Sequence, residues 1–309
     1  MTNAETKKGI KGFIKNVKAH HWLYIMCIPS ILYFILFKYV PMWGILISFQ
    51  DFNIYKGFLA SEWVGFKHFA DFFSANNFLP LMGNTLILSF YSILFAFPAP
   101  IILAILLNEI KKSWFKRTIQ TIVYIPHFVS MVIVASITFM VFSSTGPVNG
   151  FITSTGGTAK AFLTEPQYFR ALIIGQTIWK ESGWGTIVFL AAMSGIDMEQ
   201  YEAAIVDGAG RFRQIWHITL PAIRGTIIIL LILRMGNVLD NGFEQIFLMS
   251  NAGNREISDV LDTFVYREGI INGQFSYTTA IGVFKSLIGM VLIFGTNKLA
   301  NKFGESGIF

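Results

Sequence analysis

Apolar residues in this chain are gathered into long blocks, not set at alternating or helical spacings. Six blocks run near Trp22 to Phe49, Leu81 to Leu107, Thr121 to Phe142, Ala171 to Gly195, Ile218 to Leu239 and Thr278 to Lys298. A helix needs about 20 residues to cross the roughly 30 Å hydrocarbon layer of a bilayer. Each block therefore predicts a spanning helix, and the fold class is an all-α membrane protein with six transmembrane helices. Pro29, Pro41, Pro98, Pro100 and Pro126 lie inside these blocks. Membrane helices tolerate proline because neighbours and polar side chains satisfy the freed carbonyls. The first block is too long for a cleavable signal peptide, and no small-residue cleavage site follows it.

Composition agrees. Hydrophobic residues make up 53% and charged residues only 14%, against about a quarter charged in soluble domains. Orientation follows from lysine and arginine. Lys7, Lys8, Lys11, Lys15 and Lys18 precede the first span, and Lys111, Lys112, Lys116 and Arg117 follow the second. Arg211, Arg213 and Arg224 sit between or near spans four and five, and Lys298 and Lys302 end the sixth. The alternate loops carry Lys56, Lys67, Lys160, Arg170, Arg255 and Arg267, a split of roughly two to one. Both termini and the loop before span five are thus expected in the cytoplasm of a bacterial cell membrane. The domain reading is an interfacial segment at 1–21, a membrane domain at 22–298 and a short tail at 299–309. Ile10, Phe13, Ile14 and Val17 interleave with lysines, as in a helix lying at the membrane surface. The net charge of +6 is accounted for by anionic lipid, without nucleic acid. Cys27 alone provides neither a disulfide framework nor a metal pair, and is expected as a small buried hydrophobe.

One polar island interrupts the pattern: "YEAAIVDGAGRFRQIWHITLP", residues 201 to 221. Tyr201 to Ala204 opens with helix formers and Asp207-Gly208 breaks the run. Arg211 to His217 reads as a second short helix, with Pro221 in the first turn of the next. The prediction is a helix, a turn and a helix along the cytoplasmic face, with spans four and five on either side.

"EAAIVDGAG" followed by "ITLP" resembles the EAA loop of permease subunits of ATP-binding-cassette (ABC) importers that depend on a solute-binding protein. "WVGFKHFADFF", "NTLILSF" and "GPVNGFI" are similar to segments of the carbohydrate, maltose-type branch. The long first segment looks like oligosaccharide and polysaccharide permeases of Gram-positive bacteria. The resemblance covers nearly the whole chain and implies the type I permease fold, with a coupling helix inside residues 198–221 formed by Glu202, Ala203, Ala204, Asp207 and Gly208. That helix would dock on a separate ATPase, Glu202 facing a basic residue there. Asp197 stands where many relatives have proline. The implied partners are a second homologous permease, two ATPase chains, an extracellular solute-binding lipoprotein, a sugar and membrane lipid. ATP and Mg would belong to the ATPases, with no cofactor on this chain. The sequence agrees: it has no G-x-x-x-x-G-K-[ST], H-E-x-x-H or G-x-S-x-G, and no catalytic residue or metal ligand is expected.

Charged groups inside spans are costly and usually face a cavity or each other. In span four, Thr177, Lys180, Glu181 and Trp184 follow the rhythm of one helix face, with Trp179 beside it. At the end of span five, Arg234, Asn237, Asn241 and Glu244 recur at steps of three and four, with Asp240 adjacent. The two stripes predict one shared sugar cavity, indoles stacking on rings and amides or carboxylates meeting hydroxyls. The resemblance places the maltose-type site at Thr177, Trp179, Lys180, Glu181, Trp184, Arg234 and Asn241. Helix-holding ion pairs are the competing reading, and Lys285 is equally ready to face the cavity or to pair with an acid. If the cations face the substrate, an acidic sugar follows. Segments 50–80, 144–170 and 241–277 are expected to form the surface that receives the binding protein. Rival functions are a permease for another solute class, an enzyme on lipid-linked sugars, or a passive channel.

Overall fold

The computed structural model describes residues 19–302, 304, 307 and 308. The interfacial segment expected at 1–21 lies almost wholly outside the described residues. Five helices are long and apolar enough to cross a membrane: α1 (His21–Phe49), α3 (Phe78–Asn108), the stretch Met131–Ser154, α9 (Arg211–Gly236) and α12 (Phe275–Lys302). The predicted fourth span is also a continuous helix, α7 (Pro166–Ser194), with 29 residues. Its Arg170, Lys180 and Glu181 leave it more polar than the other five.

The predicted third span is not one helix. Residues Ser113–Tyr124 form α4, Ile125–Phe128 tighten into a 3₁₀ turn, and α5 begins afresh at Met131–Phe142. Pro126 is the cause. It has no N–H to donate to the turn before it, and the chain leaves helical backbone three residues on, at Val129 and Ser130. The new helix is capped by Ser130, whose hydroxyl accepts from the Ile133 N–H at 3.4 Å. A turn at Ser143–Gly146 separates α5 from α6 (Pro147–Ser154).

Other prolines are absorbed in a different way. Ahead of Pro41, Pro98 and Pro221 the helix widens into a π turn, at Ile35–Tyr39, Ser92–Ala96 and Ile215–Thr219. In each, the residue before proline donates to the carbonyl five positions back: Val40 to Ile35, Phe97 to Ser92, Leu220 to Ile215. The widened turn takes up the misfit between the proline ring and the turn that precedes it. The region after the island is corrected accordingly. Arg211 to His217 is not a separate helix ending at Pro221. It runs on into the span as the single helix α9.

Three apolar clusters tie the helices together. Phe72, Leu81, Val238, Leu239, Leu261, Phe264 and Ile281 form one. Leu88, Ala135, Phe169, Ile173, Ile246, Met249 and Val260 form the next. Ala104, Phe189, Met193 and Ile223 form the third, near the coupling loop. Read along α7, the order is apolar at Phe169 and Ile173, polar at Thr177 to Glu181, then apolar again at Phe189 and Met193. A polar layer is thus enclosed between two greasy ones. Small residues permit the closest crossings: a Cβ at Gly183 would stand 1.8 Å from the Val123 carbonyl of α4, and one at Gly289 would stand 2.3 Å from the Gly236 carbonyl.

The connections carry short elements. Strands β1 (Gln50–Asp51) and β2 (Glu62–Trp63) pair antiparallel, and α2 (Lys67–Ser74) follows. After α9 the chain turns and forms α10 (Phe243–Met249), then α11 from Leu261 through Ile271. Among the described residues, helix α1 packs on the rest of the chain chiefly near its end, where Trp43–Phe49 meets α12. Cys27, expected to be buried, is exposed on that helix, because none of the described residues covers the face it occupies.

Candidate functional site

The island folds into a self-capped elbow. Helix α8 (Met198–Val206) starts at Asp197, whose carboxylate accepts from the Glu199 N–H at 3.0 Å. The residue that departs from the usual proline therefore serves as a good N-cap. At the other end, Gly208 N–H donates to Ile205 and Ala209 N–H to Ala204, at 3.0 and 2.8 Å. This paired closure needs a left-handed residue, and Gly208 has φ +74°, open to glycine at no steric cost. The elbow is tied to α9 by Tyr201 Oη against the buried Thr219 Oγ1 at 2.9 Å, and by Gln214 donating to the Ala209 carbonyl at 2.8 Å. Glu202, Ala203, Asp207 and Gly208 are exposed, and Ala204 is half-buried. Around them stand exposed apolar groups, Val206 at 87% and Phe212 at 79%. The elbow's fold is satisfied internally while its surface is left greasy.

Higher up, α9 ends at Gly236 and α10 does not begin until Phe243. A helix that stops among other helices leaves backbone and polar side chains pointing into protein. Here they close a cavity of about 200 Å³. Thr177, Lys180, Glu181, Arg234, Asp240 and Asn241 all line it, so six of the predicted sugar residues are brought together. The other four are not. Trp179 lines a separate apolar pocket against α5. Trp184 stacks flat on His127, rings 4.6 Å apart and 4° from parallel. Asn237 donates to its own helix at Leu233, 3.3 Å, and Glu244 is exposed in the first turn of α10. The spacing from Arg234 to Glu244 presumed one unbroken helix. The break after Gly236 turns Asn237 and Glu244 elsewhere.

Most polar groups of the cavity already have partners. Lys180 Nζ donates to the carbonyls of His127 and Val129 at 2.6 and 2.9 Å, satisfying the backbone that Pro126 set loose. Glu181 meets His127 Nδ1 at 2.8 Å. Asn241 donates to the Thr85 carbonyl at 3.1 Å. Lys285 pairs with acids, reaching Asp240 at 2.7 Å and also Asp262. Arg234 is different: Nη2 donates to Ser92 Oγ at 2.6 Å, and no carboxylate forms an ion pair with it among the described residues. Ser92 stands in the π turn ahead of Pro98, so a proline on α3 places a hydroxyl against the cavity's arginine.

Sequence reasoning missed Gln245 and Ser92, which also line the cavity. Gln245 donates to Ile173 and Gln176 at 2.8 and 2.9 Å. Its signal was a second amide one step from Glu244 in an apolar stretch. On α11, Arg267 clasps Asp259 of the preceding loop through two nitrogens at 3.0 and 2.8 Å. Those hydrogen bonds hold its guanidinium above the ordinary arginine value.

Residues 96–303 match the binding-protein-dependent transport system inner membrane component family. The chain belongs to that family. It is 56% identical to Protein LplB of Bacillus subtilis (strain 168) over 98% of this chain and 95% of the relative. It is 51% identical to the polygalacturonan/rhamnogalacturonan transport system permease protein YteP of the same organism, over 93% and 90%. Among solved structures, a bacterial alginate ABC transporter in complex with an alginate pentasaccharide-bound periplasmic protein matches at TM-score 0.87 and 39% identity. That match covers 95% of this chain and 99% of the other. The chain is thus a membrane-embedded permease subunit and not itself an enzyme.

Proposed function

We propose that this protein is the membrane-spanning subunit of an ABC importer for oligosaccharides delivered by an extracellular binding lipoprotein. The observation that carries the reading is the pairing of an exposed, internally capped coupling elbow with a polar cavity held between apolar layers. The elbow supplies a surface for an ATPase: Glu202 for a basic residue, and apolar groups for a groove. Two ATPase chains would hold ATP and Mg, and no nucleotide would bind here. Six crossings, with α7 as the fourth, would place both termini and the elbow in the cytoplasm. Charge placement supports that orientation.

A second permease completes the path. The cavity of about 200 Å³ falls below the roughly 300–1,000 Å³ of ordinary ligand pockets, and most of α1 is left uncovered by the described residues. Alternating access then follows: closure of the ATPases moves the elbows, and α9, continuous from elbow to cavity, transmits the movement to Arg234. An acidic glycan is the favoured substrate class. Polygalacturonan and alginate are polyuronates, carried by the systems that YteP and the alginate transporter serve, and Arg234 is a cavity cation that forms no ion pair among the described residues, although Asp240 shares the cavity.

Reconstitution with the partner subunits tests the reading. Binding protein loaded with oligogalacturonate should stimulate ATP hydrolysis. Glu202→Ala and Gly208→Val should abolish most of that stimulation, since valine in the left-handed region costs about 1–3 kcal/mol and undoes the elbow. Undiminished stimulation in both variants would refute the coupling role.

A further inference from the structure

Beside the central cavity a second one, of about 670 Å³, opens between α3 and α7. Tyr91 and Phe95 wall it from α3, Arg170, Ile174 and Ile178 from α7, and Ile257 from the loop beyond α10. The two cavities are neighbours. Ile174 lines both, and on α3 the central pair Leu88 and Ser92 alternates with Tyr91 and Phe95.

Arg170 occupies the first turn of α7. Its Nη2 donates to Asn84 Oδ1 at 3.0 Å. Asn84 is itself fixed by donating to the carbonyls of Glu256 and Asp259 at 2.8 and 3.1 Å. The Arg170 Nε is cut off from solvent and has no hydrogen-bond partner. No carboxylate forms an ion pair with Arg170 among the described residues. A guanidinium carries five donors in a planar fork, and within these residues Arg170 uses one. Withdrawing such a group from water without a counter-charge is costly, and an anion in the cavity would offset that cost. The fork matches a carboxylate bidentately. Aromatic walls beside it suit the apolar face of a sugar ring.

The geometry points to a second glycan subsite, in which the cavity walled by Tyr91 and Phe95 receives a uronate ring and Arg170 holds its carboxylate, in series with Arg234. This rests on the acidic-glycan reading above. Along α7, Arg170 precedes Glu181 by about 16 Å at 1.5 Å per residue, so the two subsites would hold different, non-adjacent rings of one chain. It also ties affinity to charge: each guanidinium contributes only if the ring beside it is ionised.

The test uses the whole importer in proteoliposomes, with binding protein and trigalacturonate. Arg170→Gln should lower trigalacturonate uptake by about tenfold or more, the loss of one charge-assisted pair. Arg170→Lys should restore much of it. In a Cys27→Ser background, the thiol introduced by Tyr91→Cys should react with a membrane-impermeant maleimide, and binding protein with trigalacturonate should slow that reaction. The subsite is overturned if Arg170→Gln transports like the parent, or if lysine rescues nothing in a fully assembled complex. It is equally overturned if the thiol is blocked by assembly alone, which would mean that the second permease covers the groove. If the parent importer carries neutral oligosaccharides but not trigalacturonate, the acidic-substrate reading itself fails, a result distinct from the others.

Discussion

The exposed elbow and the central cavity are both polar interruptions of a greasy chain, yet they are built in opposite ways. In the elbow, backbone caps satisfy the fold, and most of the side chains that make up its motif are left outward, with Ile205, Val206, Phe212 and Trp216 exposed beside Glu202. In the cavity, side chains satisfy the fold, and Lys180, Glu181, Asn241 and Asp240 are taken up by neighbours. A surface destined for a partner keeps its groups unengaged. A polar layer inside a membrane cannot, because an unsatisfied group there costs several kcal/mol. Arg234 and Arg170, which form no ion pair with a carboxylate among the described residues, stand out against that rule.

The most damaging change should fall where helices cross under the cavity. Gly183→Val would drive a side chain into the Val123 carbonyl, and overpacking at a backbone crossing should cost about 3 kcal/mol or more. Thermal unfolding of the purified complex reads this, and a wild-type midpoint would show that the crossing is loose. Next comes Lys180→Met. It strands two carbonyls, each with a charge-assisted bond worth about 1.5–3 kcal/mol, so a loss of about 3 kcal/mol is expected. Uptake of neutral and acidic glycans should fall alike. A loss confined to acidic glycans would make Lys180 a substrate cation after all.

Smaller effects probe the elbow. Asp197→Ala removes an N-cap worth about 1 kcal/mol, and amide exchange over residues 198–206 should quicken while the cavity helices are untouched. Smallest of all is Arg211→Ala. Its pair with Glu109 at 3.4 Å is exposed, so stability should move by no more than about 0.5 kcal/mol and transport should hold. A large loss of ATPase stimulation would place Arg211 at the ATPase surface instead.

Much of the elbow was legible in the sequence, since its features are local: a run of helix formers and a glycine where the backbone must turn left. The Asp197 cap was not read, and came only with the structure. The one error there, a separate helix at Arg211 to His217, came from expecting Pro221 to start a helix when a π turn let it continue. The cavity was half legible. Spacing on unbroken α7 correctly grouped Thr177, Lys180 and Glu181, but Trp184 was diverted to His127 by the break at Pro126. Beyond Gly236 the helical count had no helix to follow, and Asn237 and Glu244 were lost with it.

By itself, then, the order of residues determined that the chain is helical and enters a membrane, that a polar helix and a glycine turn precede the fifth block, and that polar groups recur on two segments. These depend on block length, backbone preference and short-range spacing, which act within a few turns. Only the tertiary structure decided which prolines break a helix and which merely widen it. It alone set which cation is consumed by stray carbonyls and which arginines form no ion pair with a carboxylate among the described residues. Those outcomes depend on what another helix, fifty or a hundred residues away, brings to the same point.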